Sequence, residues 1–272
     1  MASDKYALVT GAAGGIGLEV AQRFAKRGYR VLAAERTDDL AARAVEKIGS
    51  GAEPVACDLA DADAVAGLCE RIEKEWGTDL EICFLNAGII VPGDVLDTTP
   101  EQIDLQLQIM LVATIKLARS AAAALAASGG GQIVATVSQG AVLALPGSAT
   151  YSTAKAGLRA FLAAFHLEMR GTGVSISGVY PSAVDTPMLR HEAVHGGSLL
   201  NFVGTVSSVS DVADAVDKAI RTGRVEIHLP VSDGLTAKFL QFAPRLVPLL
   251  LPFANRIGEK GRKRYLSRTT HQ

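Results

Sequence analysis

The feature that most constrains the fold is a regular alternation of short β-rich runs and longer helical runs along most of the chain. The β-rich runs are apolar at nearly every position, as expected for parallel strands that are covered on both faces. Strands that alternate with helices predict an α/β fold built on a doubly wound parallel sheet with helices on both faces. The seven predicted strands are residues 6–10, 30–34, 54–57, 80–85, 132–137, 174–179 and 225–229.

The helical runs lie between these strands. Ile16, Val20 and Phe24 follow one another at intervals of four, which places them on one helix face, and Gly28 follows as a stop signal. The predicted helices are residues 16–27, 62–76, 100–127, 151–170 and 210–222. Neither a repeat nor a linker interrupts the pattern before about residue 232. Residues 1–232 are therefore predicted to form one domain, and residues 233–272 an extension.

The composition argues against several other classes of protein. The 272 residues carry 27 basic and 28 acidic side chains, a balance that gives no reason to expect nucleic-acid binding. Cys57, Cys69 and Cys83 are too widely spaced for a metal motif, so they predict reduced thiols and no metal site. The N-terminus lacks the basic and apolar segments of a signal peptide, and no uninterrupted apolar run has the length of a membrane span. These observations predict a cytoplasmic protein.

A glycine-rich segment directly follows the first predicted strand. The sequence TGAAGGIG, residues 10–17, places Gly11, Gly15 and Gly17 between that strand and the first helix. Glycines at such a turn let the backbone approach a pyrophosphate closely, and the helix N-terminus attracts its negative charge. Glycines also mark ordinary turns, but in this position they predict a nucleotide site.

Acidic residues after the next two strands predict contacts with the adenosine half of the nucleotide. Glu35 lies 18 residues after Gly17, close to the spacing expected for a carboxylate that binds the adenine ribose. Glu35 favours NAD, whereas the neighbouring Arg36 can pair with the 2′-phosphate of NADP. The two can also form a solvated loop pair. Asp58 can hold the adenine amino group or cap the following helix.

A tyrosine and a lysine one helical turn apart form the third candidate motif. Tyr151 and Lys155 lie in ATYSTAK, residues 149–155, and their spacing puts both side chains on one helix face. A phenol with a pKa of about 10 exchanges protons poorly near neutral pH unless a nearby positive charge lowers that pKa. The pair predicts a proton-transfer device, although tyrosine and lysine also share solvated helix faces.

Together these motifs resemble the short-chain dehydrogenase/reductase family. The resemblance rests on TGxxxGxG at residues 10–17, NAG at 86–88, Ser138 thirteen residues before Tyr151, YxxxK at 151–155 and YPSAVDTPM at 180–188. Order and spacing match the family from residue 5 to about residue 230. The resemblance implies a Rossmann-type fold, NAD or NADP as cofactor, and an oxidoreductase that interconverts a secondary alcohol and a ketone. It also implies a homodimer or a homotetramer.

The resemblance implies roles for individual residues. Tyr151 would exchange a proton with the substrate oxygen, Lys155 would lower the Tyr151 pKa and bind the nicotinamide ribose, and Ser138 would hold the substrate oxygen. Thr186 would contact the carboxamide. The implied cofactor contacts are Gly11, Gly15, Ile16, Gly17, Glu35, Arg36, Asp58, Leu59, Asn86, Ala87, Gly88, Tyr151, Lys155, Pro181, Val184 and Thr186.

Three positions depart from the family pattern. Met110 stands where the family usually has an asparagine that holds a water of a proton relay, Leu85 replaces the first asparagine of NNAG, and Ser182 replaces a glycine. A thioether donates no hydrogen bond, so Met110 motivates a second hypothesis: a nucleotide-binding sensor or scaffold with weak turnover. The intact catalytic residues favour the enzyme.

The substrate is expected to be a hydrophobic small molecule. The residues expected to form apolar walls are Val142, Leu143, Leu145 and Phe202. The covering loop is expected to be residues 189–208, with His191 and His195 solvated rather than catalytic.

The extension changes character along its length. Apolar side chains crowd residues 239–253, and basic side chains follow in residues 256–268. Pro244, Pro248 and Pro252 are expected to break any regular helix. An apolar segment outside a completed domain needs a partner surface. Packing on the same domain or on a partner subunit is favoured, with peripheral contact of residues 239–264 with an anionic membrane as the alternative.

Overall fold

The computed structural model describes residues 5–269 and is built on a seven-stranded sheet. The strands are β1 (Tyr6–Thr10), β2 (Arg30–Glu35), β3 (Ala52–Ala56), β4 (Leu80–Leu85), β5 (Gly131–Thr136), β6 (Val174–Pro181) and β7 (Glu226–Leu229). They run parallel in the order β3-β2-β1-β4-β5-β6-β7. The predicted doubly wound sheet is confirmed, and the predicted strand boundaries differ from the observed ones by at most two residues.

Helices cover both faces of the sheet. They are α1 (Gly15–Lys26), α2 (Asp38–Ile48), α3 (Ala62–Lys74), α4 (Pro100–Leu107), α5 (Thr114–Ala127), α6 (Ala149–Glu168), α7 (Pro187–His195), α8 (Val209–Thr222), α9 (Val231–Phe242) and α10 (Leu246–Thr269). One apolar core lies between the sheet and α3, α5 and α6, and a second lies between the sheet and α1, α2 and α8. The central strands are apolar on both sides because both sides are buried.

Two helices of the main domain lie where the sequence predicted none. Two of the three residues that α2 buries are alanines, so its buried face has few large apolar side chains, and Thr37 caps it by accepting a hydrogen bond from the Leu40 N–H. α7 occupies part of the expected loop 189–208. Thr186 caps α7, and Pro187 takes its first position, where a proline loses no helical hydrogen bond.

The predicted helix 100–127 contains a π-helical turn. Gln108–Ala113 forms this wider turn between α4 and α5, and the Thr114 hydroxyl donates to the Ile109 carbonyl oxygen at 3.3 Å. Within residues 5–269, Pro100–Ala127 is the one helix long and apolar enough to cross a membrane, but 56% of its most apolar window is buried inside the fold. That burial is typical of a core helix.

The proline-rich extension forms two helices, so the prediction that its prolines break every helix is wrong. Pro244 lies between α9 and α10, but Pro248 lies in the first turn of α10 and Pro252 lies inside it. The first N–H groups of a helix have no intrahelical acceptor, so a proline there removes no hydrogen bond. Beyond Pro252, α10 packs against α7 and the turn Leu199–Phe202, and this packing supports the helix.

Candidate active site

The predicted site residues meet where the carboxyl ends of the central strands open a crevice. The strand order reverses between β1 and β4, the point at which open α/β sheets bind ligands. A cavity of about 300 Å³ lies there. Its lining includes Gly11, Gly15, Ile16, Asn86, Ala87, Gly88, Ser138, Tyr151, Lys155, Pro181, Val184 and Thr186. The glycine segment and the tyrosine–lysine pair therefore share one cavity.

The loop between β1 and α1 requires its three motif glycines. Gly11 and Gly15 have positive φ angles of 70° and 55°, which favour glycine. Gly17 packs so closely that an added Cβ would overlap the Gly11 carbonyl oxygen. α1 begins without a side-chain cap and without an acidic residue in its first turn. Its first N–H groups are thus available to an anion, and the loop fits a dinucleotide pyrophosphate.

The two residues predicted to select the cofactor lie at the end of β2, outside the cavity lining. Glu35 accepts a hydrogen bond from the Ala13 N–H through Oε1 at 2.6 Å, which holds its carboxylate beside the glycine loop. Arg36 is exposed. This end of the crevice is open surface rather than enclosed cavity.

Asp58 and Leu59 follow β3, also outside the cavity lining. Asp58 accepts a hydrogen bond from the Ala60 N–H through Oδ1 at 2.9 Å, within its own turn. The residue that caps α3 is Asp61. The alternative role of Asp58 as a helix cap is therefore wrong. Leu59 is buried.

Asn86 ties three strands together beneath the glycine loop. Its Nδ2 donates to the carbonyl oxygens of Thr10 and Gly11 at 3.3 and 3.4 Å, and its Oδ1 accepts from the Thr136 hydroxyl at 3.0 Å. These bonds hold the chain ends of β1, β4 and β5 in register. Ala87 and Gly88 follow directly and line the cavity.

Ser138, Tyr151 and Lys155 form the polar centre of the cavity. Ser138 lies just beyond β5, and its Oγ accepts a hydrogen bond from the Gly140 N–H at 3.0 Å. The Ser138 hydroxyl is also close enough to the Tyr151 phenol to lower its pKa. On α6, the Lys155 ammonium lies 5.9 Å from the centroid of the Tyr151 ring. The two hydroxyls can together hold an oxygen atom of a ligand.

Burial, rather than Lys155, dominates the pKa of Tyr151 in this structure. Burial raises that pKa to about 12. The neighbouring Ser138 hydroxyl lowers the pKa and the charge of Glu192 raises it, but both effects are smaller than that of burial. Burial also lowers the pKa of Lys155 to about 8, and its ammonium donates to the Thr136 carbonyl oxygen at 2.7 Å. Lys155 is not among the causes of the Tyr151 shift, and the expectation that it lowers the Tyr151 pKa stays a prediction.

Residues 5–196 match the family described as short chain dehydrogenase, which covers most of the sheet and all three catalytic candidates. The chain belongs to the short-chain dehydrogenase family. Members of this family are oxidoreductases, and the predicted family resemblance is confirmed.

Individual relatives agree with this assignment. The chain is 34% identical over 228 residues to 1-deoxy-11-beta-hydroxypentalenate dehydrogenase of Streptomyces exfoliatus, covering 81% of each protein. It is 33% identical over 196 residues to the probable oxidoreductase EphD of Mycobacterium tuberculosis, covering 71% of this chain but only 33% of EphD. It thus spans about a third of the length of that relative. A short-chain dehydrogenase from Sphingobium yanoikuyae in complex with NADPH aligns with a TM-score of 0.76 and 25% identity, over 89% of this chain and 94% of the other.

Met110 sets this chain apart from the pattern of the short-chain dehydrogenase family. It lies in the π-helical turn and is fully buried. A Cβ added to Gly88 would lie 3.6 Å from the Met110 Cγ and Sδ atoms and 3.9 Å from the Lys155 Nζ atom. An apolar side chain therefore packs close to Lys155, where the family usually has an amide.

A buried carboxyl in α7 was not predicted from the sequence, and it lies in the part of the cavity wall that we call the roof, formed by Glu192 and Asn201. Glu192 of α7 is only 5% exposed, and its Oε1 accepts a hydrogen bond from Asn201 Nδ2 at 3.1 Å. Both side chains line the cavity. Burial raises the pKa of Glu192 to about 7. A glutamate in a polar stretch of sequence carries no sign of such burial.

The predicted apolar walls are only partly correct. Leu145 lines the cavity, together with Ile90, Met188 and Leu189. The prediction is wrong for the other three residues, because their side chains pack into apolar cores instead: Val142, Leu143 and Phe202. The two histidines of α7, His191 and His195, are exposed and stack on each other at 4.2 Å.

Proposed function

We propose that this protein is an NAD(P)-dependent oxidoreductase that interconverts a secondary alcohol and a ketone. The observation that carries the proposal is that Ser138, Tyr151 and Lys155 line the same cavity as the glycine loop. The nicotinamide cofactor would supply the hydride chemistry. The protein would supply a site for the substrate oxygen and its proton.

Two hydroxyl groups would act on the substrate oxygen. Ser138 and Tyr151 would donate hydrogen bonds to it as negative charge develops, and Tyr151 would then give its proton. Because burial raises the Tyr151 pKa to about 12, the phenol is neutral near pH 7 and ready to protonate a ketone oxygen. Oxidation of an alcohol needs the phenolate, so it should be favoured at high pH.

Replacing the phenol tests this mechanism. Tyr151→Phe should abolish turnover in both directions while NADH still binds, as measured by its fluorescence. Tyr6→Phe, which removes the same hydroxyl group from a residue outside the cavity lining, serves as the control. Wild-type alcohol oxidation should rise about tenfold per pH unit between pH 7 and 9, following the ionised fraction of a group that titrates well above that range.

Two results would contradict this account. Turnover that survives in Tyr151→Phe would exclude Tyr151 as the proton donor. An oxidation rate that reaches a plateau near pH 7 would show that Lys155 lowers the Tyr151 pKa once the cofactor is bound.

We also propose NAD as the preferred cofactor. The Glu35 carboxylate is held beside the glycine loop by the Ala13 N–H, a position that suits hydrogen bonds to the adenine ribose and repels a 2′-phosphate. Arg36 is the competing signal, because it can pair with that phosphate. The apolar lining residues Leu145, Met188 and Leu189 support a hydrophobic substrate. A cytoplasmic homodimer or homotetramer is part of the same proposal.

Met110 favours a second candidate function, a nucleotide-binding sensor or scaffold with little turnover. The two functions differ in a simple assay. A panel of secondary alcohols and ketones is mixed with the protein and either cofactor, and the absorbance of the reduced nicotinamide is followed. Retained cofactor binding without turnover of any member would favour the sensor.

A further inference from the structure

Each of the two C-terminal helices presents apolar side chains to solvent. The exposed apolar side chains of α9 are Val231, Leu235, Phe239 and Phe242, and those of α10 are Leu246, Leu249, Leu250, Phe253 and Ile257. Intervals of three and four place each set on one helix face. Phe242, Leu249 and Phe253 are 89%, 75% and 68% exposed. We call this surface the tail face.

A neighbouring face of α10, about a quarter turn from the tail face, already holds the helix on its own subunit. An added Cβ on Gly258 would overlap the Leu199 carbonyl oxygen, and one on Gly261 would overlap the carbonyl oxygen of Phe202. The Tyr265 hydroxyl donates to Asp185 Oδ1 at 2.6 Å. These contacts attach α10 without any contribution from the tail face. The exposed phenylalanines and leucines of the tail face can therefore contact another surface.

The charge of this region is strongly positive. Residues 231–268 contain eight basic and two acidic side chains, whereas the whole chain has a net charge of −1. At 3.6 residues per turn, Lys260, Arg264 and Arg268 continue the exposed face of α10 directly after Phe253 and Ile257. All three basic side chains are exposed. The exposed face of α10 is therefore apolar in its N-terminal half and basic in its C-terminal half.

We propose that the tail face docks on an anionic lipid bilayer. The apolar side chains would enter the boundary between headgroups and acyl chains, and the basic end of α10 would pair with the lipid phosphates. Charge decides between this occupant and a second copy of the chain. A symmetric contact could bury the apolar part but would offer the basic part no acidic partner on this surface, whereas an anionic bilayer complements both parts of the face.

Flotation with lipid vesicles tests the proposal. The full chain should float with vesicles of phosphatidylcholine and phosphatidylserine in a 7:3 ratio, remain unbound with phosphatidylcholine alone, and be released by high salt. Phe242→Gln with Phe253→Gln should lower the bound fraction at least tenfold, and so should Lys260→Glu with Arg264→Glu. NADH fluorescence of each variant reports an intact fold, because the substituted side chains are exposed.

Matched control variants carry the same chemical changes elsewhere. Leu96→Gln alters an apolar side chain that is 98% exposed outside the tail face, and Lys116→Glu with Arg170→Glu reverses two exposed charges outside the extension. Both controls should bind like the wild type. Lack of binding to either vesicle, equal binding to both, or equal loss in the controls would overturn the proposal. A dimer whose mass falls to that of a monomer in Phe242→Gln with Phe253→Gln would assign the tail face to a second copy instead.

Discussion

At the scale of single residues, Glu192 couples the stability of the fold to pH. Its carboxyl is buried in the cavity roof, and burial raises its pKa to about 7 from an ordinary 4.5. The folded protein therefore keeps a proton that the unfolded chain loses at lower pH. Stability from this effect is fully present below pH 4.5 and is lost as the pH rises through 7.

Glu192→Gln should remove this dependence. The free energy of unfolding of the wild type, relative to the variant, should fall by about 3 kcal/mol between pH 4.5 and 7. Urea unfolding at pH 4.5, 6 and 8 measures the difference. Gln keeps the size of the side chain and can still accept the Asn201 hydrogen bond. A constant difference across this range would mean that Glu192 is already ionised in the folded protein.

Met110 and Lys155 both pack beside Gly88. Met110→Asn would place a hydrogen-bonding amide close to Gly88 and Lys155. We expect it to change the rate or the pH profile of turnover without weakening NADH binding. Met110→Leu keeps an apolar side chain of similar volume and serves as the control. Identical profiles for all three proteins would show that the position only fills the core.

At the scale of helices and strands, α10 depends on a close approach of two backbones. Gly258→Ala should destabilise the protein by about 1–3 kcal/mol, because the new methyl group overlaps the Leu199 carbonyl oxygen. The KM for substrate should rise as well, since the turn that begins at Leu199 contains Asn201 of the cavity lining. Urea unfolding and steady-state kinetics measure the two effects.

Gly67→Ala is the matched control for this prediction. Gly67 lies inside α3, and an added Cβ there would meet no atom within 4 Å. Alanine is the better helix former, so this variant should be stabilised by up to about 1 kcal/mol. Equal effects at the two positions would show that α10 can move away from the turn without cost.

The elements differ in how well the sequence predicts them, and the reason is physical. The strands are predicted from local apolar runs, and their boundaries differ from the observed ones by at most two residues. The motif of Ser138, Tyr151 and Lys155 is predicted from short spacings in the sequence. Three other features depend on contacts between distant segments: the burial of Glu192, the π-helical turn around Met110, and the packing of α10 on the turn Leu199–Phe202. Pro252 shows the same limit, because local propensity predicts a break that tertiary packing overrides.

At the scale of the whole molecule, cofactor binding should stabilise the entire fold. The proposed site joins the ends of β1, β4, β5 and β6, so a ligand there binds the folded state and not the unfolded chain. At a concentration one hundred times its Kd, NADH should add about 2.7 kcal/mol to the free energy of unfolding. A thermal shift of several degrees should follow.

NADPH provides the comparison for this prediction. At the same concentration NADPH should give the smaller shift, because the Glu35 carboxylate repels its 2′-phosphate. Glu35→Ala should reduce the difference between the two cofactors. A larger shift with NADPH would make Arg36 the selecting residue.

The attachment of α10 to the turn Leu199–Phe202 also affects the order in which the site is assembled during synthesis. Gly258 follows Leu199 by 59 positions, so at about 5–20 residues per second the ribosome makes it roughly 3–12 s later. Tyr151 and Lys155 precede both. A nascent chain therefore contains Tyr151 and Lys155 for several seconds before α10, which packs against the cavity roof, has been synthesised. The helix that supports the roof from outside is thus synthesised after every residue that lines the cavity.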